Sequence, residues 1–432
     1  MSRPDIFRSQ FESLNGSAPA WVRRLRSAGM DRFAALGFPT TRLEDWKYTD
    51  VSRIADTPFS MPAIASRGAD DFVERLACDG SVRLVFVNGH YSEPLSTTGS
   101  LPAGAQVLPL SRAFEGHDLQ QHLASLADVE SESFTALNTA FLHDGAYIRL
   151  QRGTVVEQPI HLLFVSLPGG EPVASHPRVL VVAEQDSEAV VVEDYTGEGK
   201  YLTNAVTEIV IGANAKVDHY RLQREGAEGF HVGTVNAQQA RDSRFRSYAV
   251  ALGGALARIA INTSLGAEGG ECLLDGLYMA KDRQHVDHHT CIDHRQPRCS
   301  SRELYKGVLD GKATGVFSGK VFVRIDAQKS DAQQMNNNLL LSDDAVVDTK
   351  PQLEIFADDV KCSHGATIGR LDDDALFYFR SRGIDAKAAR DLLIRGFAHQ
   401  LLGRMRCGSV RAQVEKSLEE RWGWAREMGA SA

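Results

Sequence analysis

The spacing of apolar and polar positions divides the chain into two helical ends and a β-rich middle. Near the N-terminus Trp21, Val22, Leu25, Gly29, Phe33 and Leu36 recur with a period near 3.6, which predicts a helix with one apolar face. Gly37-Phe38-Pro39 ends it, because proline disfavours helix at the residue before it. From Val82 the texture changes to short β-branched runs, such as 83–87, 161–165, 178–182, 189–193 and 208–211, broken by polar turns. A helical interruption is expected at 115–143. Small-residue turns at 186–188, 212–214, 241–243 and 267–269 recur at roughly 25–30 residues, a period suited to stacked coils, and another falls at 342–344. Asn336, Asn337 and Asn338 fit a solenoid too, since asparagines ladder by hydrogen bonding along stacked strands. The pattern alone leaves β-sandwich and β-solenoid open.

After Gly383 helical periodicity returns. Asp385 stands at an N-cap position, and Ala389, Leu392, Leu393, Gly396 and Phe397 form an apolar stripe. Val410, Val414, Leu418 and Trp422 mark a second helix by four-residue spacing. Gly396 inside the first helix costs about 1 kcal/mol relative to alanine, which predicts a close helix contact there. These helices read either as a cap on the solenoid or as a docking face. The expected organisation is an N-terminal helical region (1–80), a β core (81–370) and a C-terminal helical region (371–432).

Composition narrows the function classes. A chain of 432 residues with 43% hydrophobic content can bury a sizeable core. The net charge of -8, from 48 basic and 56 acidic residues, argues against a nucleic-acid surface. The basic stretch from Arg221 to Arg224 reads as a solvated strand edge. Residues 1–10 carry charges and no apolar run of signal-peptide length, and the longest apolar runs fall far short of a membrane span, so a cytoplasmic protein is expected. The six cysteines are scattered and form no CxxC pair, which suits free thiols in a reducing compartment.

Three clusters carry candidate chemistry. In an extended segment 285–294, His285, Asp287, His289, Cys291 and Asp293 would share one face, and Val286, His288, Thr290, Ile292 and His294 the other. The first set reads as a metal-binding face or as the polar outer face of a β-helix. Residues 311–321 invite a phosphate-loop reading, but Gly315 and Gly319 enclose only three residues and Val321 stands where a hydroxyl must reach magnesium. No nucleotide site of the chain's own is expected. Cys362 and His364, two apart, share a face if extended and could meet one metal. Asp343, Asp344 and Asp348 could form an acidic cluster of a β-helix carbohydrate-active enzyme, although no GxSxG elbow accompanies them.

Residues 348–355, 359–369 and 376–383 strongly resemble the C-terminal part of the SufB/SufD family, the scaffold proteins of the SUF iron–sulfur cluster assembly machinery. Lys361-Cys362-Ser363-His364-Gly365-Ala366 has the wording of the SufD branch, and with Cys78 the first cysteine, the cysteine-rich N-terminal motif of many SufB proteins is missing. Residues 40–49, around Trp46, match a pattern common near the family's N-terminus and read as an aromatic plug at a domain seam. His294 sits where the family tends to keep a histidine. The resemblance implies a mainly β fold, a right-handed parallel β-helix core flanked by N-terminal and C-terminal helical regions. It implies a non-enzymatic scaffold subunit that pairs with a SufB-like paralogue through the β-helix cores, or with itself as a homodimer where SufB is absent. It further implies binding of a SufC-like ATPase through the C-terminal helices, here Asp385, Ala389, Leu392, Leu393 and Phe397. ATP-driven closure of the SufC pair would strain the interface where a transient iron–sulfur cluster forms, with His364 as the matching interface residue and Cys362 beside it. The persulfide-accepting cysteine of SufB has no counterpart, and flavin binding is left open. A purely structural subunit without cluster ligands and a carbohydrate-active enzyme are the alternatives. Truncation after Gly383 is expected to leave the β-helix folded, because its strands close upstream.

Overall fold

The computed structural model describes residues 3–14, 18–62, 68–78 and 80–423. Two parallel sheets face one another, and from Glu188 onward the chain crosses between them so that each coil gives one strand to each. The first sheet runs through Glu188–Gly197, Lys216–Gln223, Arg244–Ala251, Glu271–Ala280, Ser300–Leu309 and Asp331–Leu340 to Lys361–Gly369. The second runs through Tyr201–Ile211, Phe230–Gln239, Leu256–Leu265, His285–His294 and Thr314–Val323 to Val346–Ile355. Of the two folds the pattern left open, it is the solenoid.

The coils repeat because one corner repeats. Asp186, Asn214, Asp242, Gly269, Arg298 and Lys329 all have positive φ, one per coil. Asp and Asn tolerate that conformation better than most side chains, which is why the turns carry them. Each of these residues donates its N–H to a carbonyl of the following coil, as Asp186 does to Ala213 and Asn214 to Arg241, both at 2.9 Å. The corner is therefore hydrogen-bonded along the stack as the strands are. The asparagine ladder lies elsewhere than expected. Asn336 and Asn338 bond to each other within one strand at 2.6 Å and to Tyr278, whereas the asparagines that stack between coils are Asn236 and Asn262, at 3.0 Å.

Inside the solenoid the apolar core includes Val191, Val217, Phe245, Leu274, Ile209, Val235 and Ile261. Polar side chains share this interior. Arg221, expected on a solvated edge, is fully buried there, while Arg224 is buried on the outer face, between Asp194 and Ser417 of the C-terminal helix. Glu193 accepts from Arg221 and Thr207, and bonds His219, at 2.8–2.9 Å. Burial alone would raise the Glu193 carboxyl, but Arg221 and His219 hold it down, to about 2.

Helices cover both outer faces. The helix Ala20–Leu36 lies against Ser133–Ala140 so closely that a Cβ at Gly29 would stand 2.6 Å from the Ala140 nitrogen. This is the close contact expected at Gly396. There a Cβ would meet nothing within 4 Å, and Gly396 instead lines an open groove. Arg26, on the buried stripe of the same N-terminal helix, donates to the Leu142 carbonyl at 2.7 Å. On the first sheet's outer face, Ile394, Ala398, Leu401, Leu402, Val410, Val414 and Leu418 cover Tyr220, Leu222, Tyr248, Val250, Leu277 and Met279. Removal of everything after Gly383 would expose this apolar face to water.

Candidate functional site

The two ends of the solenoid differ. At the N-terminal end each sheet finishes in an antiparallel strand, His90–Tyr91 in the first and Ala105–Pro109 in the second. At the other end Lys361–Gly369 and Val346–Ile355 are the last strands of their sheets, and each leaves one edge unpaired. Residues along both are exposed or half-buried, in contrast to the buried strands beneath them. Ile355, Phe356 and Ile368 are exposed here, with Ile325 and Met335 from the preceding coils. A partly apolar pair of free edges is a template for strand pairing and calls for a cover.

Cys362 and His364 occupy this last coil on the inward face. Cys362 stands beside Ala332 and packs against the interior core, while His364 stands beside Gln334. The Cys362 thiol is half-buried and its pKa is raised by that burial, so it is protonated at neutral pH in the isolated chain. The His364 ring is exposed and has no hydrogen-bond partner among the described residues. One coil down, Gln334 Nε2 donates to Glu303 Oε2 at 2.6 Å. Burial pushes the Glu303 carboxyl up to about 7.

The segment His285–His294 is a strand, with Val286, His288, Thr290, Ile292 and His294 facing inward. Its other face is engaged by the N-terminal segment and by Arg258. Asp287 is paired with Arg258 and accepts from Thr49 Oγ1 at 2.6 Å, with His289 Nε2 at 3.1 Å, and Thr49 Oγ1 also lies 2.9 Å from His285 Nε2. Arg258 lies 3.9 Å over the Trp46 ring, which stacks on Phe134. The plug at 40–49 and the polar face of this strand are thus two halves of one seam. No group of three or more His, Cys, Asp or Glu among the described residues is arranged to hold a metal ion. His294 bonds Ser301 Oγ at 2.9 Å inside the solenoid, and burial lowers its pKa to about 4.

The other candidates separate clearly. Residues 314–323 form a strand where a phosphate loop requires a helix. Asp343 pairs with Arg370 and Asp344 with Lys312, both on the surface. In the C-terminal helices Asp385 caps by accepting from the Lys387 and Ala388 amides, and Ala389 is fully buried. Leu393 is half-buried, and Phe397 lies under the Lys306 ammonium, 4.2 Å from the ring centre. Leu392 alone of the five is both apolar and exposed, on a groove of about 460 Å³ lined also by Arg395, Gly396, His399, Glu415 and Glu419. The preceding helix, Asp373–Ser381, buries no residue, and Phe377 on it is 72% exposed.

Sequence reasoning missed the interior polar groups, Glu193, His219, Arg221, Glu303 and Gln334. A signal existed: their charged partners lie one coil away along the chain. Glu193 and Arg221 are 28 residues apart, and the pairs buried under the covering helices follow the same spacing, with Asp194 and Arg224, and Arg178 and Glu208, each 30 apart.

Residues 166–397 match the family described as SUF system FeS cluster assembly, SufBD core domain, and residues 3–162 match the SufBD protein N-terminal region. The chain is 34% identical to an iron–sulfur cluster assembly SufBD family protein of Synechocystis, over 93% of this chain and 92% of that one. It is 34% identical to the iron–sulfur cluster assembly protein SufD of Escherichia coli, over 89% of each. It is also 30% identical to the chloroplastic protein ABCI7 of Arabidopsis thaliana, over 94% of this chain and 87% of that one. No helix among the described residues is long and apolar enough to cross a membrane.

Proposed function

Since the chain belongs to the SufBD family of SUF-system iron–sulfur cluster assembly proteins, we propose that it is the SufD-type subunit of a heteromeric scaffold. In this reading it pairs with a SufB-like paralogue through the open end of its solenoid. The observation that carries the pairing is the asymmetry of the ends: one finishes in antiparallel strands, the other in two parallel strands with free edges. The same end would serve two copies of this chain where the paralogue is absent.

The open end carries His364 and Cys362, so pairing would place an imidazole and a thiol at the seam between subunits. A neutral imidazole nitrogen is a borderline ligand for ferrous iron, and a thiolate is a soft one. The cluster is cargo here, and a site shared between chains releases it more readily than a closed cage. Burial keeps the Cys362 thiol protonated, so its engagement requires loss of that proton to a base or to displacement by the metal. A SufC-like ATPase docks on the C-terminal helices at the groove beside Leu392 and Gly396, where apolar surface meets Arg395 and Glu419.

The test is reconstitution of the chain with both partners, followed by iron counting and visible absorption. His364→Ala should leave the complex assembled and hydrolysing ATP while cluster content falls, because an exposed ring contributes little packing. Cys362→Ser tests the thiol in parallel, since a hydroxyl is a poor soft-metal ligand. Normal loading in both variants would reduce the chain to a structural subunit without cluster ligands.

A further inference from the structure

Glu303, Gln334 and His364 stand side by side in three successive strands of the first sheet, all facing the solenoid interior. Neighbouring strands lie about 4.8 Å apart, so side chains in such a column touch in series. Gln334 gives its amide NH2 to Glu303, which fixes the direction of the amide. Its carbonyl, Oε1, is then left buried with no hydrogen bond. The facing strand makes room for this amide. A Cβ at Gly319 would stand 2.3 Å from Gln334 Nε2, so glycine is what allows the amide to lie there.

On the open side of Gln334 the next residue in register is His364, with an exposed ring and no partner. Once a second subunit covers this end, the ring N–H loses water and needs an acceptor, while Gln334 Oε1 already lacks a donor. Each unsatisfied buried group carries a desolvation penalty, and one hydrogen bond removes both. Cys362 and Ala366, the flanking inward residues, offer no comparable acceptor.

We infer that Gln334 is the positioning residue for His364: its carbonyl accepts one ring N–H and leaves the other nitrogen, with its lone pair, directed to the interface. An amide carbonyl accepts and never donates, so it selects a single neutral tautomer, as partners of metal-binding histidines do. The value of this to cluster assembly rests on the proposed role of His364, but the ring's tautomer does not.

The measurement is 15N NMR of the histidine-labelled chain paired with unlabelled SufB-like partner, with His364 assigned by its disappearance in His364→Ala. The wild-type ring should show one neutral tautomer. Gln334→Met, close in size and without an acceptor, should return it to the mixture of a free imidazole and weaken iron binding about tenfold or more. Gln334→Asn, which withdraws the carbonyl by one methylene, should do the same and serves if the methionine variant fails to fold. Thr349→Val is the control, because the Thr349 hydroxyl on the second sheet's last strand is also buried without a partner. A wild-type ring with mixed tautomers, ring signals unchanged in both Gln334 variants, or a shift produced by Thr349→Val alone, overturns the inference. A tautomer change in a complex whose His364→Ala form loads normally sinks the ligand role of His364 and leaves the positioning intact.

Discussion

Replacing Glu303 by glutamine should make the protein more stable above neutral pH and flatten part of its pH dependence. The Glu303 carboxyl is buried between Leu274 and Gln334, and burial carries its pKa from 4.5 to about 7. The folded state therefore holds the proton more tightly than the unfolded one. Below pH 4.5 both states are protonated and the favourable contribution is complete. Between 4.5 and 7 the unfolded chain ionises freely while the folded one resists, and stability falls at up to 1.36 kcal/mol per pH unit. Across that interval the loss is about 3 kcal/mol, and above pH 8 it is complete. Glutamine keeps an oxygen to accept from Gln334 and never ionises. The assay is urea unfolding of the full chain at pH 5 and pH 8 for both proteins. Comparing midpoints at unchanged slope avoids assuming that a stack of coils melts in one step. The variant's advantage should grow by about 2–3 kcal/mol from pH 5 to pH 8. Midpoints that move in parallel between the two pH values would show that Glu303 ionises freely in the fold, and the reasoning would fail.

Two further predictions concern the helices. Gly29→Ala should lower the urea midpoint by the equivalent of about 1–3 kcal/mol, because the new methyl meets the backbone of Ser133–Ala140 at 2.6–2.8 Å. Helix propensity alone favours alanine by about 1 kcal/mol, so an unchanged or raised midpoint would refute the contact. Gly396→Trp should leave the midpoint unchanged, since nothing lies within 4 Å of its Cβ position, while filling the groove beside Leu392 and abolishing ATPase capture. Full retention of the ATPase by that variant would move docking elsewhere.

Local periodicity made the elements of this chain legible, and the partners within its core were not. The corner turns, the stripe of Ala20–Leu36 and the four-residue spacing of Val410, Val414 and Leu418 all report local geometry, which a sequence encodes directly. The burial of Arg221 escapes the sequence pattern for a definite reason. In Lys216–Gln223 the inward set Val217, His219, Arg221 and Gln223 alternates with Tyr220 and Leu222, and those two are covered by the C-terminal helices. A strand buried on both faces gives alternation no inside and outside to distinguish. Gly396 shows the same limit from the other side. A glycine in a helix marks missing volume, and only the fold decides whether a neighbour fills it, as at Gly29, or solvent does.

The distribution of polar groups inside the solenoid bears on where it works. In the middle coils the interior Glu193 carboxylate is held by Arg221, His219 and Thr207. Buried polar atoms without hydrogen bonds occur along the whole stack, at Arg221 Nε, Asn236 Nδ2 and Asp275 Oδ1 among others, and they continue to the open end. Glu303 Oε1, Gln334 Oε1 and Thr349 Oγ1 are all buried without hydrogen bonds on three of the last five strands, and Glu303 and Gln334 form the column that ends on His364. Core stability does not account for this arrangement, since apolar side chains of like volume would serve it better. The column Glu303, Gln334, His364 ends on an exposed imidazole, and under the proposed pairing a covering subunit would complete it and so couple pairing to the orientation of His364.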